Sequence, residues 1–142
     1  MEPSYQDRLR ARREAVVRRH IDAENHGDLD AMIASFHRPR YDVVPMGAVS
    51  EGEAAVRELI RGLVTAFPDF CFQPTTIHHA ERAVIVEARM TGTHRAAWAG
   101  LPPKGGRLDL RAACVFDFED DRLINETVYF DFAALERQLG SA

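Results

Sequence analysis

The sequence predicts an α+β domain, a curved antiparallel sheet wrapped around helices to make a cone. Three observations predict it. Up to residue 69 the apolar residues recur mostly at helical spacing; from residue 70 onward they alternate with period two. At 142 residues the chain has the length of one domain, with no internal repeat, low-complexity tract or linker. Helices followed by a run of strands place the helices on one face of an antiparallel sheet, and a sheet that curls around them leaves an open end suited to a ligand.

Residues 6–26 read as a first helix, with Leu9, Val16, Val17, His20 and Ile21 in one stripe and arginines elsewhere. The arginine cluster reads as a solvated face rather than an anion site. Gly27 closes this helix and Asp28 caps the next, residues 29–37, in which Leu29, Met32, Ile33 and Phe36 share a face. Arg38-Pro39-Arg40 breaks it, and Tyr41 to Met46 is strand-like with Pro45 at its edge or end. Ser50 and Glu53 match a capping box ahead of a strongly amphipathic helix carrying Val56, Leu59, Ile60, Leu63, Val64 and Phe67. Pro68-Asp69 ends it. Four strand candidates follow at 70–80, 82–95, 107–118 and 122–132, with a tight turn at Glu119-Asp120-Asp121. Residues 96–106 form a longer loop carrying Trp98, the only tryptophan. A short helix from Phe132 to Leu139 is stopped by Gly140.

Composition narrows the function. A net charge of -4 argues against nucleic acid as the partner, and no apolar run reaches the roughly 20 residues that span a bilayer. The segment from Met1 to Glu14 lacks the apolar stretch of a signal peptide, and Cys71 and Cys114 are too few and isolated for a disulfide scaffold. A cytoplasmic protein with reduced thiols is the expectation.

Alternation assigns faces. Val84, Val86, Ala88, Met90, Gly92 and His94 share the apolar side of one strand; Leu108, Leu110, Ala112, Cys114, Phe116 and Phe118 share that of the next. The last strand stays open: Asn125, Thr127, Tyr129 and Asp131 oppose Ile124, Glu126, Val128, Phe130 and Phe132, and either set can face inward. Asp131, between two phenylalanines, either caps the following helix or points into an apolar cavity. Glu126 is either interface or pocket.

Val84-Ile85-Val86-Glu87, Gly92-Thr93-His94, Gly100-Leu101-Pro102-Pro103, Val128-Tyr129-Phe130-Asp131 and Gln138-Leu139-Gly140, with Ala66-Phe67-Pro68-Asp69 ending the third helix, resemble the SnoaL-like family of polyketide ester cyclases. The resemblance runs from about Val17 to Gly140 and implies the nuclear-transport-factor-2-like cone. It also implies that Asp131 is the catalytic acid/base and that His94 lines the pocket. The family's further histidine on the penultimate strand is replaced here by Ala112-Ala113-Cys114, which points to another substrate or a smaller, drier cavity.

Desolvation by neighbouring phenylalanines would raise the Asp131 pKa toward the range where a carboxyl exchanges protons at neutral pH. His94 would then donate to a developing oxyanion, as could Tyr41, Tyr129 or Trp98. Tyr41, Met46, Phe67, Trp98, Cys114, Phe116 and Tyr129 are the candidate substrate-binding walls. No metal or organic cofactor is expected. Adjacent residues on a strand face opposite ways, so His78 and His79 cannot chelate one ion together. The expected activity is that of a cofactor-independent cyclase, isomerase or lyase on a hydrophobic carbonyl or polyketide-like compound. The alternatives are a hydratase or epoxide-hydrolase-like activity in the same pocket, and a non-catalytic binding or dimerisation module. Charges at Glu87, Arg89, Asp109 and Arg111 alternate on the outer sheet face, where a homodimer is expected to form.

Overall fold

The structure, a computed structural model, describes residues 1–140. Helix α1 (Tyr5–Asn25) starts at Ser4, whose side chain and that of Asp7 satisfy each other's backbone N–H groups. Its inward face carries Val17 and Ile21 but also His20 and Glu24, one turn apart. Asn25 ties the end of α1 to the sheet, accepting from Phe72 N–H at 2.7 Å and donating to Phe72 C=O at 2.9 Å. Gly27 and Asp28 make the expected corner, Asp28 accepting from Ala31 N–H. Helix α2 (Leu29–Ala34) stops three residues before the expected end. Phe36 instead forms a parallel bridge to Leu123, its N–H still donating to the Ile33 carbonyl, and His37 N–H donates to the Leu123 carbonyl, so the sheet takes the chain from the helix at His37.

Strand β1 (Arg40–Val43) passes through a 3₁₀ turn at Val44–Met46 into β2 (Ala48–Glu51), an edge strand that the sequence reading did not identify. The Ser50–Glu53 capping box is not formed. Ser50 pairs with Tyr41 in the β2–β1 ladder, and Gly52, at φ 89°, is the cap of α3 (Glu53–Ala66). That positive φ suits glycine and lets the chain leave the strand directly into the helix. Strands β3 (Cys71–His79), β4 (Ala83–Thr93), β5 (Arg107–Glu119) and β6 (Arg122–Phe130) form an antiparallel meander, and α4 (Phe132–Gly140) follows. The six strands run in the order β2-β1-β6-β5-β4-β3. The sheet is mixed rather than purely antiparallel, because β1 lies parallel to β6.

Val17 and Ile21 of α1, Val56 and Ile60 of α3, Val84 and Val86 of β4, and Phe116 of β5 join one buried cluster on the inner face of the sheet. Each such side chain contributes on the order of 1.5–3 kcal/mol by burial. Leu135 and Leu139 seat α4 on the same cluster. Gln138 fixes its position by accepting from Asp109 N–H and donating to Asp109 C=O, both at 2.8 Å.

The face of β6 is decided by a bulge. Asp117 pairs with Asn125 and Phe118 with Leu123, so Ile124 is an extra residue with no partner opposite. Leu123 faces the core on one side of the bulge; on the other, inward positions shift to Glu126, Val128 and Phe130. Thr127, Tyr129 and Asp131 therefore fall on the outer side. There Arg89 pairs with Asp109 at 2.7 Å, while Glu87 bonds His78 at 2.8 Å.

Candidate functional site

Between α1, α3, the 3₁₀ turn and the inner sheet face lies a cavity of about 70 Å³. Most of its wall is aliphatic or aromatic: Leu59, Ile60 and Leu63 of α3, Phe70 and Phe72 beside β3, Met90, Leu108, Val128 and Phe130 from the strands, with Met46 and Trp98. The ionisable groups that line it are Glu24, Tyr41, Cys114 and Glu126.

Three of them, Tyr41, Glu126 and Glu24, converge on His20, which is fully buried behind them. Its Nε2 lies 2.8 Å from Tyr41 Oη, 2.9 Å from Glu126 Oε1 and 3.8 Å from Glu24 Oε2. Its Nδ1 lies 2.8 Å from Ser35 Oγ, whose own hydroxyl donates to the Met32 carbonyl. Ser35 has spent its hydrogen there, so it accepts from His20, and Nδ1 carries a proton. Nε2 is then the variable site. Burial opposes charge on the ring, but the hydrogen bond and charge of Glu126, with Glu24 behind it, raise the His20 pKa. Protonated at Nε2, His20 donates to Tyr41 and leaves the tyrosine hydrogen free for Glu126 or for an oxygen in the cavity. Glu126 Oε1 is 2.9 Å from the same Nε2, so it competes with Tyr41 for the one N–H and its contact is the less well aligned.

Glu24 is the other half of the arrangement. Desolvation, then repulsion from Glu126, push its carboxyl up to about 8 against a partial counter-pull from His20. At neutral pH Glu24 is therefore held as a carboxylic acid. Burial likewise pushes the Tyr41 hydroxyl and the Cys114 thiol up, with Glu126 adding to both. Both stay protonated donors. The donor atoms of His20, Glu24 and Glu126 all lie within 4.8 Å of one another, so this is also where a metal ion would find ligands among the described residues.

The sequence-based candidates separate into two groups. Tyr41, Met46, Trp98 and Cys114 line the cavity. Asp131 does not: it is exposed, and its Oδ1 accepts from Ala134 N–H at 3.1 Å as the cap of α4. The bulge at Ile124 is the reason, since it turns Asp131 and the half-exposed Tyr129 to the outer side, beside Thr75 and Arg111. His94 faces inward but is fully buried away from the cavity, stacked on Phe67 at 5.2 Å with neither ring nitrogen bonded. Phe67 fills the space between His94 and Trp98, and Phe116 packs edge-on against His20; neither lines the cavity. Asp131 and His94 do not converge on a common point. Sequence periodicity places His20 in an apolar stripe and gives no role to Glu24. The available signal was a histidine and a glutamate at i and i+4 on the buried face of α1.

Residues 14–139 match the profile of the SnoaL-like polyketide cyclase family. Among solved structures, a protein from Xanthomonas campestris assigned as a polyketide cyclase superposes with a TM-score of 0.82 at 22% identity, covering 92% of this chain and 98% of that one. One from Jannaschia sp., assigned as a SnoaL-like polyketide cyclase, gives 0.86 at 19% identity over 100% and 99%. An NTF2-like protein of unknown function from Burkholderia pseudomallei gives 0.76 at 19% over 90% and 97%. No curated protein matches the chain. The chain belongs to the SnoaL-like polyketide cyclase family and has the nuclear-transport-factor-2-like fold that these structures share.

Proposed function

We propose that this chain is a small-molecule enzyme of the cyclase or isomerase type whose acid/base groups are Glu126, Glu24 and Tyr41, rather than Asp131. One observation carries the reading. An otherwise apolar cavity gathers its ionisable groups in one place, and one of them is a carboxylic acid held protonated up to about pH 8. A carbonyl compound seated there with its oxygen toward Glu24 and Tyr41 presents its α-carbon to Glu126. The Glu126 carboxylate takes the α-proton; the electron pair of the broken C–H bond moves into the enolate, whose oxygen receives hydrogen bonds from the Glu24 acid and the Tyr41 hydroxyl. Return of the proton at a different carbon isomerises the compound. His20 is a positioning residue: its charge balances Glu126, and its Nε2–H orients Tyr41. Tyr41, Met46, Trp98 and Cys114 are the substrate-contacting walls.

The test is exchange of α-protons for deuterium in simple ketones, followed by NMR in D₂O. Wild type accelerates exchange, Glu126→Gln abolishes the acceleration, and Asp131→Asn retains it. Loss in Asp131→Asn with retention in Glu126→Gln overturns the reading.

A further inference from the structure

We infer that the cavity takes a small, uncharged substrate with a single polar end, not a multi-ring polyketide and not an anion. The inference deepens the proposed function, since it rests on this cavity being the place of reaction. Size is the first argument. The space of about 70 Å³ is well below the roughly 300–1,000 Å³ of pockets that bury a drug-sized ligand. It suits a single small ring or a short chain. The wall is closed from several sides by residues that also hold the fold together, Ile60, Phe70, Phe72, Met90 and Leu108 among them, all buried. A larger guest has to displace core.

Charge is the second argument. Among the described residues no lysine or arginine lines the cavity. The nearest positive group, His20, is fully buried, and Glu126 already answers it at 2.9 Å. An anion would meet no free cation and would lie against a carboxylate, a desolvated charge without a partner. A cation fares no better, because the Glu126 carboxyl is already faced by His20 at 2.9 Å. Polarity is the third. Glu24, Tyr41, Glu126 and Cys114 lie together, and the remaining lining is hydrocarbon apart from a thioether or an indole edge, so a guest needs its polar group at one end only.

Trp98 is the only tryptophan and lies in the cavity wall, so its fluorescence reports occupancy directly. The probes are cyclohex-2-enone, cyclohexanecarboxylate, cyclohexylammonium and anthrone, titrated near pH 7 into wild type and Leu63→Ala. The enone gives a saturable change; the carboxylate, the ammonium and the three-ring ketone bind at least about tenfold more weakly. Leu63→Ala, which removes wall, narrows the gap between anthrone and the enone. Anthrone binding wild type as tightly as the enone overturns the size assignment. Equal or tighter binding of either ion overturns the charge assignment, and no saturable change with any probe overturns both. Because the readout is binding, it separates from the acid/base reading: an enone that binds while Glu126→Gln still promotes exchange removes the mechanism but keeps the substrate class.

Discussion

Glu24→Gln provides a sharp test of the buried cluster, because its effect on stability has a fixed sign. In the folded chain the Glu24 carboxyl is raised from 4.5 to about 8. Between these values the folded state holds a proton that the unfolded chain has released. Stability therefore falls as pH rises: the contribution is complete below 4.5 and lost by the time the pH passes about 8. One proton corresponds to about 1.4 kcal/mol per pH unit. Over the interval from 4.5 to about 8, roughly 5 kcal/mol is at stake. His20, also raised, adds a loss of the same sign as pH climbs above its ordinary 6.5. Asp7, Glu14, Asp69 and Asp109 are all held below the usual carboxylate range, so they titrate beneath this window. Urea unfolding at several values between about pH 5 and pH 8 is the assay. Wild type loses stability steeply across the range, and Glu24→Gln, which keeps a neutral side chain at every pH, shows only the shallower His20 part. A slope in Glu24→Gln as steep as in wild type would refute the argument that Glu24 is a buried neutral acid.

Tyr41→Phe removes the hydroxyl 2.8 Å from His20 Nε2, costing about 0.5–1.5 kcal/mol in unfolding free energy as a lost hydrogen bond, since Nε2–H can turn to Glu126, and it lowers α-proton exchange by about tenfold to a hundredfold. Asp131→Ala costs about 1 kcal/mol as a lost helix cap, whereas Asp131→Asn, a good cap, unfolds at nearly the wild-type urea midpoint. Gly92→Ala places a Cβ 3.2 Å from the Phe67 ring and destabilises by about 1–3 kcal/mol, with the largest amide shifts around His94 and Trp98 in NMR spectra. Prolonged chelation leaves exchange unchanged, since protons already balance the cluster. Activity lost to a chelator and restored by a divalent ion would put a metal on His20, Glu24 and Glu126.

Where the chain's own periodicity was regular, it was readable. The inward faces of β4 and β5 follow strict alternation, over ten residues from Val84 in β4 and over all thirteen of β5, and the amphipathic α3 lies where its stripe places it. Two kinds of feature were not readable. One is local competition for backbone hydrogen bonds: Ser50 carries the side chain of a helix cap, but its backbone pairs with Tyr41, and α2 ends early because Phe36 and His37 find partners at Leu123. The other is parity. Nothing in Leu123-Ile124-Asn125-Glu126 marks Ile124 as the residue without a partner, yet that one extra position moves Glu126 into the cavity and Asp131 out of it.

The same bulge explains how the cavity can be polar on one wall although its sheet is so apolar. Ala112 and Cys114 of β5 face inward with no hydrogen-bonding side chain stronger than a thiol. A family resemblance that looks for acid/base groups on that strand, or at the residue after β6, finds none inside. The polar groups enter from the opposite direction: His20 and Glu24 from one turn of α1, Tyr41 from β1, and Glu126 from β6, directly beside Tyr41 in the parallel β1–β6 pairing. Since β1 is parallel to β6, the register that sets Tyr41 against Glu126 is independent of the β5–β6 meander that carries the bulge. Deleting Ile124 removes the one residue with no partner opposite, so Leu123 and Asn125 continue a regular ladder with Phe118 and Asp117 while Glu126 keeps its places opposite Phe116 and beside Tyr41. The deletion is therefore expected to keep both the raised Glu24 carboxyl and α-proton exchange, whereas Glu126→Gln abolishes exchange. Exchange retained in Glu126→Gln with the sheet intact would mean that Glu126 is not the base.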